Sequence, residues 1–331
     1  MDSMADKRDT ALDLLRGTAI IIVVFGHAMM VSVPEGTRTL TMSIIQSFQM
    51  PLMFLVSGFT IDYVYPSPNI KRFLIKKIKR LLIPYLVWET FHYIICCILV
   101  PEYKAFCITG FFREIMVSDF WFLRELFVLY LIVGLCNFVY NKQKKVQAKM
   151  IILLSLPVTY LLTKLSLMNQ SVSLWYTLWF VGGYYLSLTK DTIEFYLVTK
   201  MSRPLVFLGG VFVILLVAFG VKNEYLPNKE ACTILCFLVL VMCYKGNEMQ
   251  HTRIIDRITA LGKNTLPIYA IHWCILFSVF WRMEIYNILI GKLPSLLTAC
   301  CISGIWLAVC QEIIFVLKRS KWSRKLLLGE K

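Results

Sequence analysis

The chain has 331 residues, of which 58% are hydrophobic and 17% are charged, and its mean hydropathy is +0.67. A soluble domain is about 45–50% apolar and about 25% charged, so this composition excludes a soluble enzyme, a disordered chain and a disulfide scaffold. The formal net charge is +15. A basic balance indicates nucleic-acid binding only where it forms one face of a soluble domain, and no nucleic-acid partner is predicted here.

Apolar stretches long enough to cross a bilayer recur along the chain. They predict ten transmembrane helices, over residues 11–33, 41–64, 81–100, 120–140, 149–166, 171–189, 204–221, 231–244, 265–281 and 295–317. The first stretch contains Asp13 and Arg16 and has no cleavage site of small residues, so it is expected to remain as a helix rather than be removed as a signal peptide. The predicted fold is an all-α polytopic membrane protein with a single domain over residues 1–331.

The positions of the basic residues predict the orientation of these helices. With the N-terminus in the cytoplasm, 25 of the 35 Lys and Arg residues fall on inner segments and eight fall on outer segments. Cytoplasmic loops of membrane proteins carry such an excess of Lys and Arg. Ten helices with both termini in the cytoplasm therefore account for the net charge.

The first predicted helix places two candidate functional residues on one face. Arg16 and His27 are 11 residues apart, which is within about 20° of three full turns and about 16 Å along the axis. Asp13 lies one turn before Arg16 and is expected to pair with it. Ionisable groups inside a membrane are functional candidates by default. The alternative is that Arg16 anchors the end of the helix and His27 bridges neighbouring helices.

A basic segment precedes the third predicted helix and includes Lys77 and Arg80, followed by Pro84. Attraction to anionic lipid at the inner leaflet accounts for these charges. A phosphate clamp for a nucleotide-like cofactor is the functional alternative, since Arg and Lys both bind phosphate oxygens. We find no glycine-rich phosphate loop of the P-loop or GxGxxG type in the sequence.

Polar residues within other predicted helices complete the set of candidates. Helix 2 carries Gln49 and Ser57 around Pro51, helix 4 carries Trp121 and Glu125, and helix 9 carries Tyr269 and His272 on one stripe. Trp121 also fits an aromatic belt at the membrane interface. Helix 3 carries Glu89 and His92, which fit either a proton-handling pair or a buried polar contact.

Five short sequence motifs follow one another along the chain. They are residues 13–27 (DLLRG through FGH), 49–59 (QMPLMFLVSGF), 80–85 (RLLIPY), 121–123 (WFL) and 261–272 (LGKNTLPIYAIH). This pattern resembles the acyltransferase-3 family of integral membrane acyltransferases, and is most similar to its branch of sugar O-acetylases such as fucose 4-O-acetylases. Two departures are visible: the family often has His at the position of Gln49, and Lys77 stands in the first place of its RxxR motif.

The resemblance implies an enzyme that transfers an acetyl or other acyl group from cytoplasmic acetyl-CoA to a hydroxyl of a cell-surface or lipid-linked carbohydrate. It implies a bacterial plasma-membrane location, with the lipid bilayer and a glycan or glycolipid as partners. The expected donor-binding residues are Arg16, Lys77 and Arg80. The expected catalytic residues are His27, Glu125 and His272, and the expected substrate-binding residues are Trp121, Tyr269, Ser57 and Gln49. No metal is predicted.

The sequence leaves two points open. His27 suits either a general base for the acceptor hydroxyl or a nucleophile that takes the acyl group itself. Ten helices with internal ionisable groups also suit a transporter of a glycan or lipid-linked intermediate, although we recognise no inverted repeat of the kind found in many transporters.

Overall fold

The computed structural model describes residues 10–33, 39–61, 70–99, 107–117, 120–139, 144–164, 173–188, 252–277 and 294–330, with residues 208, 211 and 215 singly. All regular secondary structure in these ranges is helical, in agreement with the predicted all-α class. The predicted spans over 204–221 and 231–244, and the end of the span over 265–281, lie outside the continuous described ranges.

Twelve helices and two π-helical turns follow one another in the described ranges. The helices are α1 (Thr10–Ser32), α2 (Leu40–Phe59), α3 (Ile70–Lys77), α4 (Ile83–Leu99), α5 (Ile108–Val117), α6 (Trp121–Val139), α7 (Lys144–Lys164), α8 (Ser173–Leu188), α9 (Arg253–Lys263), α10 (Thr265–Ile271), α11 (Ser295–Leu317) and α12 (Lys321–Leu326). The first π-helical turn, Ile78–Leu82, joins α3 to α4, and the second, His272–Phe277, follows α10.

Four helical stretches within the described ranges are long and apolar enough to cross a membrane: Thr10–Ser32, Leu40–Phe59, Lys71–Leu99 and Ser295–Leu317. Large apolar side chains on the outer face of α11, including Ile305, Phe315 and Val316, are exposed. Such a surface is stable against lipid but not against water. The protein is therefore a multi-pass membrane protein.

The basic segment is itself helical. Residues 71–80, which precede the third predicted span, belong to a continuous helical stretch over Lys71–Leu99. Lys and Arg are good helix formers, and 29 residues extend about 43 Å. This exceeds a hydrocarbon core of about 30 Å, so the basic turns have room to extend beyond it.

Helix α1 is the central element, because it contacts α2, α9, α10 and α11. Two glycines allow its closest contact: a Cβ at Gly262 of α9 would overlap the Asp13 carbonyl and the Gly17 amide of α1, and a Cβ at Gly17 would overlap the Ile258 carbonyl. The two backbones therefore meet directly, as small residues permit between membrane helices. This crossing fixes Arg16 beside the start of α10.

The π-helical turn Ile78–Leu82 is linked to Pro84. Proline has no amide hydrogen, so it cannot donate to the Arg80 carbonyl as the α-helical pattern requires. The Ile83 amide instead donates to Ile78, five residues earlier. Single π-helical turns of this kind occur frequently at functional sites, and this one contains Arg80.

We predict that Gly262→Ala destabilises the protein by about 1–3 kcal/mol, because the added Cβ meets only backbone atoms of α1 and overpacking of this kind costs that much. The measurement is the Tm of the purified protein in detergent. Gly304→Ala in α11 is the matched control, since a Cβ there meets no atom within 4 Å, and its Tm should stay equal or rise slightly. Equal Tm values for Gly262→Ala and the wild type would contradict the glycine crossing.

Candidate active site

Two histidines from distant parts of the sequence meet at the centre of the described helices. His27 of α1 and His272, the first residue of the second π-helical turn, lie 2.9 Å apart between Nδ1 and Nε2. Their rings are stacked at 5.1 Å between centroids. His272 is completely buried and His27 is half-buried. We call His27 and His272 the histidine pair.

The hydrogen bonds of the histidine pair fix its proton positions in the neutral state. His272 Nδ1 lies 2.8 Å from the Ile268 carbonyl oxygen, which only accepts, so Nδ1 carries the proton and Nε2 is the acceptor. His27 Nδ1–H therefore donates to His272 Nε2. It follows that Nε2 of His27 is the ring nitrogen with the lone pair, and so the basic atom of the pair.

A glutamine from α2 lies beside His27. The side chain of Gln49 occupies the space that a Cβ at Gly26 would take, so the glycine before His27 makes room for the amide. Gln49 Oε1 is buried and has no hydrogen-bond partner among the described residues. A buried acceptor without a partner is costly, which is the property expected of a group that receives a substrate hydrogen bond.

A cavity of about 1120 Å³ lies next to the histidine pair, among α1, α2, α3, α4, α6, α10 and the segment after α11. We call it the basic cavity, because eight cationic side chains and one carboxylate line it among the described residues. The cationic residues are Arg16, Arg72, Lys76, Lys77, Lys79, Arg80, Lys263 and Lys325, and the carboxylate belongs to Glu330. Its volume exceeds the range of about 300–1,000 Å³ found for drug-sized ligands, and its charge suits a large polyanion.

The three expected donor-binding residues all line the basic cavity. Arg16 also pairs with Asp13 at 3.3 Å, as predicted from their spacing. Lys77 is only 5% exposed, and its Nζ lies 3.0 Å from the ring centroid of Tyr130. The tyrosine face partly compensates the buried ammonium group. Tyr130, which sequence reasoning missed, therefore holds one of the three cations in place.

Tyr269 connects the basic cavity to the histidine pair. It lines the cavity and is 5% exposed, while its ring centroid lies 5.9 Å from that of His272. Neither histidine lines the cavity in this structure. The Tyr269 side chain therefore separates the histidine pair from the basic cavity.

The remaining predicted site residues lie at different positions in the structure. Ser57 lines the basic cavity, and its hydroxyl donates to the Met53 carbonyl at 2.7 Å. Trp121 does not line the cavity but stacks at 5.2 Å on Tyr176, which stacks on Phe54 at 5.1 Å. Glu125 is buried on α6 one turn after Trp121. The structure thus brings His27 and His272 together and packs Gln49 against the neighbouring Gly26, while Trp121 belongs to an aromatic cluster with Phe54 and Tyr176.

Sequence reasoning also missed Gly26 and Ile268 as parts of the site. Gly26 has no functional group, and its role is to admit Gln49. The Ile268 carbonyl orients His272. Its signal was the spacing of four residues between Ile268 and His272, which places a side-chain donor over the preceding helical turn.

Comparisons with known proteins identify the family of the chain. Residues 9–312 match the sequence profile of the acyltransferase-3 family, described as an acyltransferase domain. The nodulation protein NolL of Sinorhizobium fredii is 26% identical over 144 residues, which cover 40% of this chain and 37% of NolL. No solved structure matches the chain.

The family match extends over most of the chain, from residue 9 to residue 312 within α11, and includes the histidine pair and the residues of α3 and α4 that line the basic cavity. The chain therefore belongs to the acyltransferase-3 family, and the matching segment is an acyltransferase domain.

Proposed function

We propose that this acyltransferase transfers an acetyl group from cytoplasmic acetyl-CoA to a hydroxyl of a cell-surface or lipid-linked carbohydrate. The observation that carries the proposal is the histidine pair, whose His272 packs against Tyr269 in the wall of the basic cavity. In this proposal the cavity opens to the cytoplasm and the protein resides in the plasma membrane.

The basic cavity is the proposed donor site. CoA carries several phosphate charges, and Arg16, Lys77 and Arg80 offer guanidinium and ammonium donors to phosphate oxygens. Arg80 is exposed, whereas Lys77 is held on Tyr130. The acyl end of the donor then extends toward Tyr269, the lining residue that contacts His272.

His27 acts as the general base in this proposal. Its Nε2 takes the proton of the acceptor hydroxyl as the hydroxyl oxygen attacks the thioester carbonyl, and the C–S bond then breaks. The proton passes from His27 to the departing thiolate, so that an ester and a thiol are formed and no net charge is left. While His27 is doubly protonated, its hydrogen bond to His272 becomes charge-assisted and stronger.

The acceptor is proposed to bind on the Gln49 side of His27. The Oε1 atom of Gln49 can accept a hydrogen bond from a sugar hydroxyl, which satisfies a buried acceptor that has no partner in the described structure. The aromatic cluster of Phe54, Trp121 and Tyr176 offers apolar faces, and its Phe54 lies on the same helix as Gln49. Carbohydrates present both hydroxyls and apolar ring faces, so they fit this combination.

A transporter, the alternative kept from the sequence, gains no support. His92 of α4 has a contact at 3.6 Å with the Cys96 sulfur and an edge contact with Phe120, and Glu89 and His92 do not line the basic cavity. The acyltransferase family of the chain and the position of the cations beside the histidine pair both favour acyl transfer.

We predict that His27→Gln lowers acetyl transfer by about 10²–10⁴-fold, the usual contribution of general base catalysis. The measurement is transfer of labelled acetyl from acetyl-CoA into an alkali-labile glycan ester, in membrane vesicles that carry the native glycan. His92→Gln is the matched control, since this second buried histidine lies outside the site, and it should retain near wild-type activity. Equal activity of both variants would argue against His27 as the base.

We further predict that Gln49→Leu raises the KM for the acceptor and leaves the KM for acetyl-CoA unchanged, because the amide contacts the acceptor side of His27. A lost hydrogen bond to a buried neutral group corresponds to about 1 kcal/mol, or about a fivefold change in KM. Gln46→Leu is the control, since Gln46 lies on the same helix and is exposed. A change in the KM for acetyl-CoA alone would contradict a role for Gln49 in acceptor binding.

A further inference from the structure

The segment after α11 folds back onto the basic cavity. Residues 318–330, which we call the return segment, contain α12 and the turn that follows it. Six residues of this segment line the cavity: Trp322, Lys325, Leu326, Leu328, Gly329 and Glu330. The return segment therefore forms part of the cavity wall, a role that the sequence motifs did not indicate.

Specific contacts hold the return segment in place. The Trp88 indole donates to the Leu327 carbonyl at 2.9 Å, and the Leu328 side chain is 3% exposed. Lys318 Nζ donates to Asn264 Oδ1 at 2.8 Å and pairs with Glu330 at 3.1 Å. This pairing offsets the negative charge that Glu330 brings to a cavity for anions.

The return segment also packs closely against the backbone of Arg80. A Cβ at Gly329 would lie 2.7 Å from the Arg80 carbonyl oxygen, and Gly329 has φ of +63°, a region that glycine tolerates without steric cost. Glycine is thus required for both the conformation and the approach. The return segment is docked directly against Arg80.

Trp322 and Lys325 of α12 line the cavity and are three residues apart, which places them on one side of the helix. Trp322 is 75% exposed, so it lies at the open side of the cavity, whereas Tyr269 is buried. Lys325 adds a cation beside it. An aromatic face next to a cation is the combination that binds a nucleobase and its phosphates.

We propose that the return segment binds the nucleotide end of the donor, with Trp322 stacked on the base and Lys325 on a phosphate. This inference rests on the proposed function, because the acyl end must reach Tyr269 and the nucleotide end must then occupy the open side. Donor recognition accordingly depends on the nucleotide as well as on the phosphates that meet Arg16 and Arg80.

The test is equilibrium binding of labelled CoA to the full chain in detergent, with displacement by adenosine bisphosphate and, separately, by pantetheine. Trp322→Ala should weaken binding of CoA and of adenosine bisphosphate by about fivefold or more, the usual effect of losing a stacked base. Lys325→Ala should weaken both by about threefold. Neither variant should change the affinity for pantetheine. Lys321→Ala is the matched control, since Lys321 is exposed on α12 and does not line the cavity.

The outcomes separate the two proposals. If the wild type binds CoA and the Trp322 and Lys325 variants bind it equally well, the role of the return segment is overturned and the proposed function stands. A parallel loss of affinity for pantetheine would also overturn it, because this would indicate a general structural effect. If the wild type binds neither CoA nor adenosine bisphosphate, acetyl-CoA is not the donor and the proposed function fails as well.

Discussion

The hydrogen bond from His27 to His272 is the interaction on which the site depends. It joins the central helix α1 to the π-helical turn after α10, and the Ile268 carbonyl fixes its direction by holding the proton on His272 Nδ1. The same bond determines that the lone pair of His27 lies on Nε2. A base with a defined tautomer is pre-organised for proton transfer, as in other catalytic histidines whose second nitrogen is hydrogen-bonded.

Close packing of helices makes this bond possible. Gly17 and Gly262 let α1 and α9 meet through their backbones, and α10 begins three residues after Gly262. Gly26 has a similar role one residue before His27, where it admits Gln49. Small residues thus set the distances between helices that carry the chemistry, which is the usual function of such residues in membranes.

Electrostatics divide the described protein into two regions. The basic cavity concentrates cations from α1, α3, α9 and the return segment, while the histidine pair lies behind Tyr269 among aromatic side chains. Cations that face one another repel unless a counter-charge is present, and Asp13 and Glu330 supply part of it here. A polyanionic ligand would supply the rest, so the cavity is best neutralised when occupied.

Much of the helical framework was predictable from hydropathy. The predicted span over 295–317 has the bounds of α11, and the spacing of Asp13 and Arg16 correctly predicted their ion pair. The basic run over 71–80 was predicted to precede the third span, and the helical propensity of Lys and Arg continues the helix through this run. Hydropathy does not encode π-helical turns, which follow from local features such as Pro84.

The site was predictable only as a set of residue types. Periodicity placed Arg16 and His27 on one face, but the contact between His27 and His272 spans 245 positions and depends on tertiary packing. The buried partners Tyr130, Gly26 and Ile268 are apolar or small in the sequence, so nothing marks them as functional until the helices are assembled. Trp121 was expected to bind substrate, and its stacking on Phe54 and Tyr176 depends on helix packing that the sequence does not show.

The most direct measurement of the central claim is the tautomer of His27, read from the ring-nitrogen chemical shifts of isotope-labelled histidine by solid-state NMR of the protein in lipid. The chain has four histidines, so single His→Gln variants assign each signal. The account predicts that neutral His27 carries its proton on Nδ1 and has a proton-free Nε2, and that His272 also carries its proton on Nδ1. A proton on His27 Nε2 in the neutral protein would contradict the account.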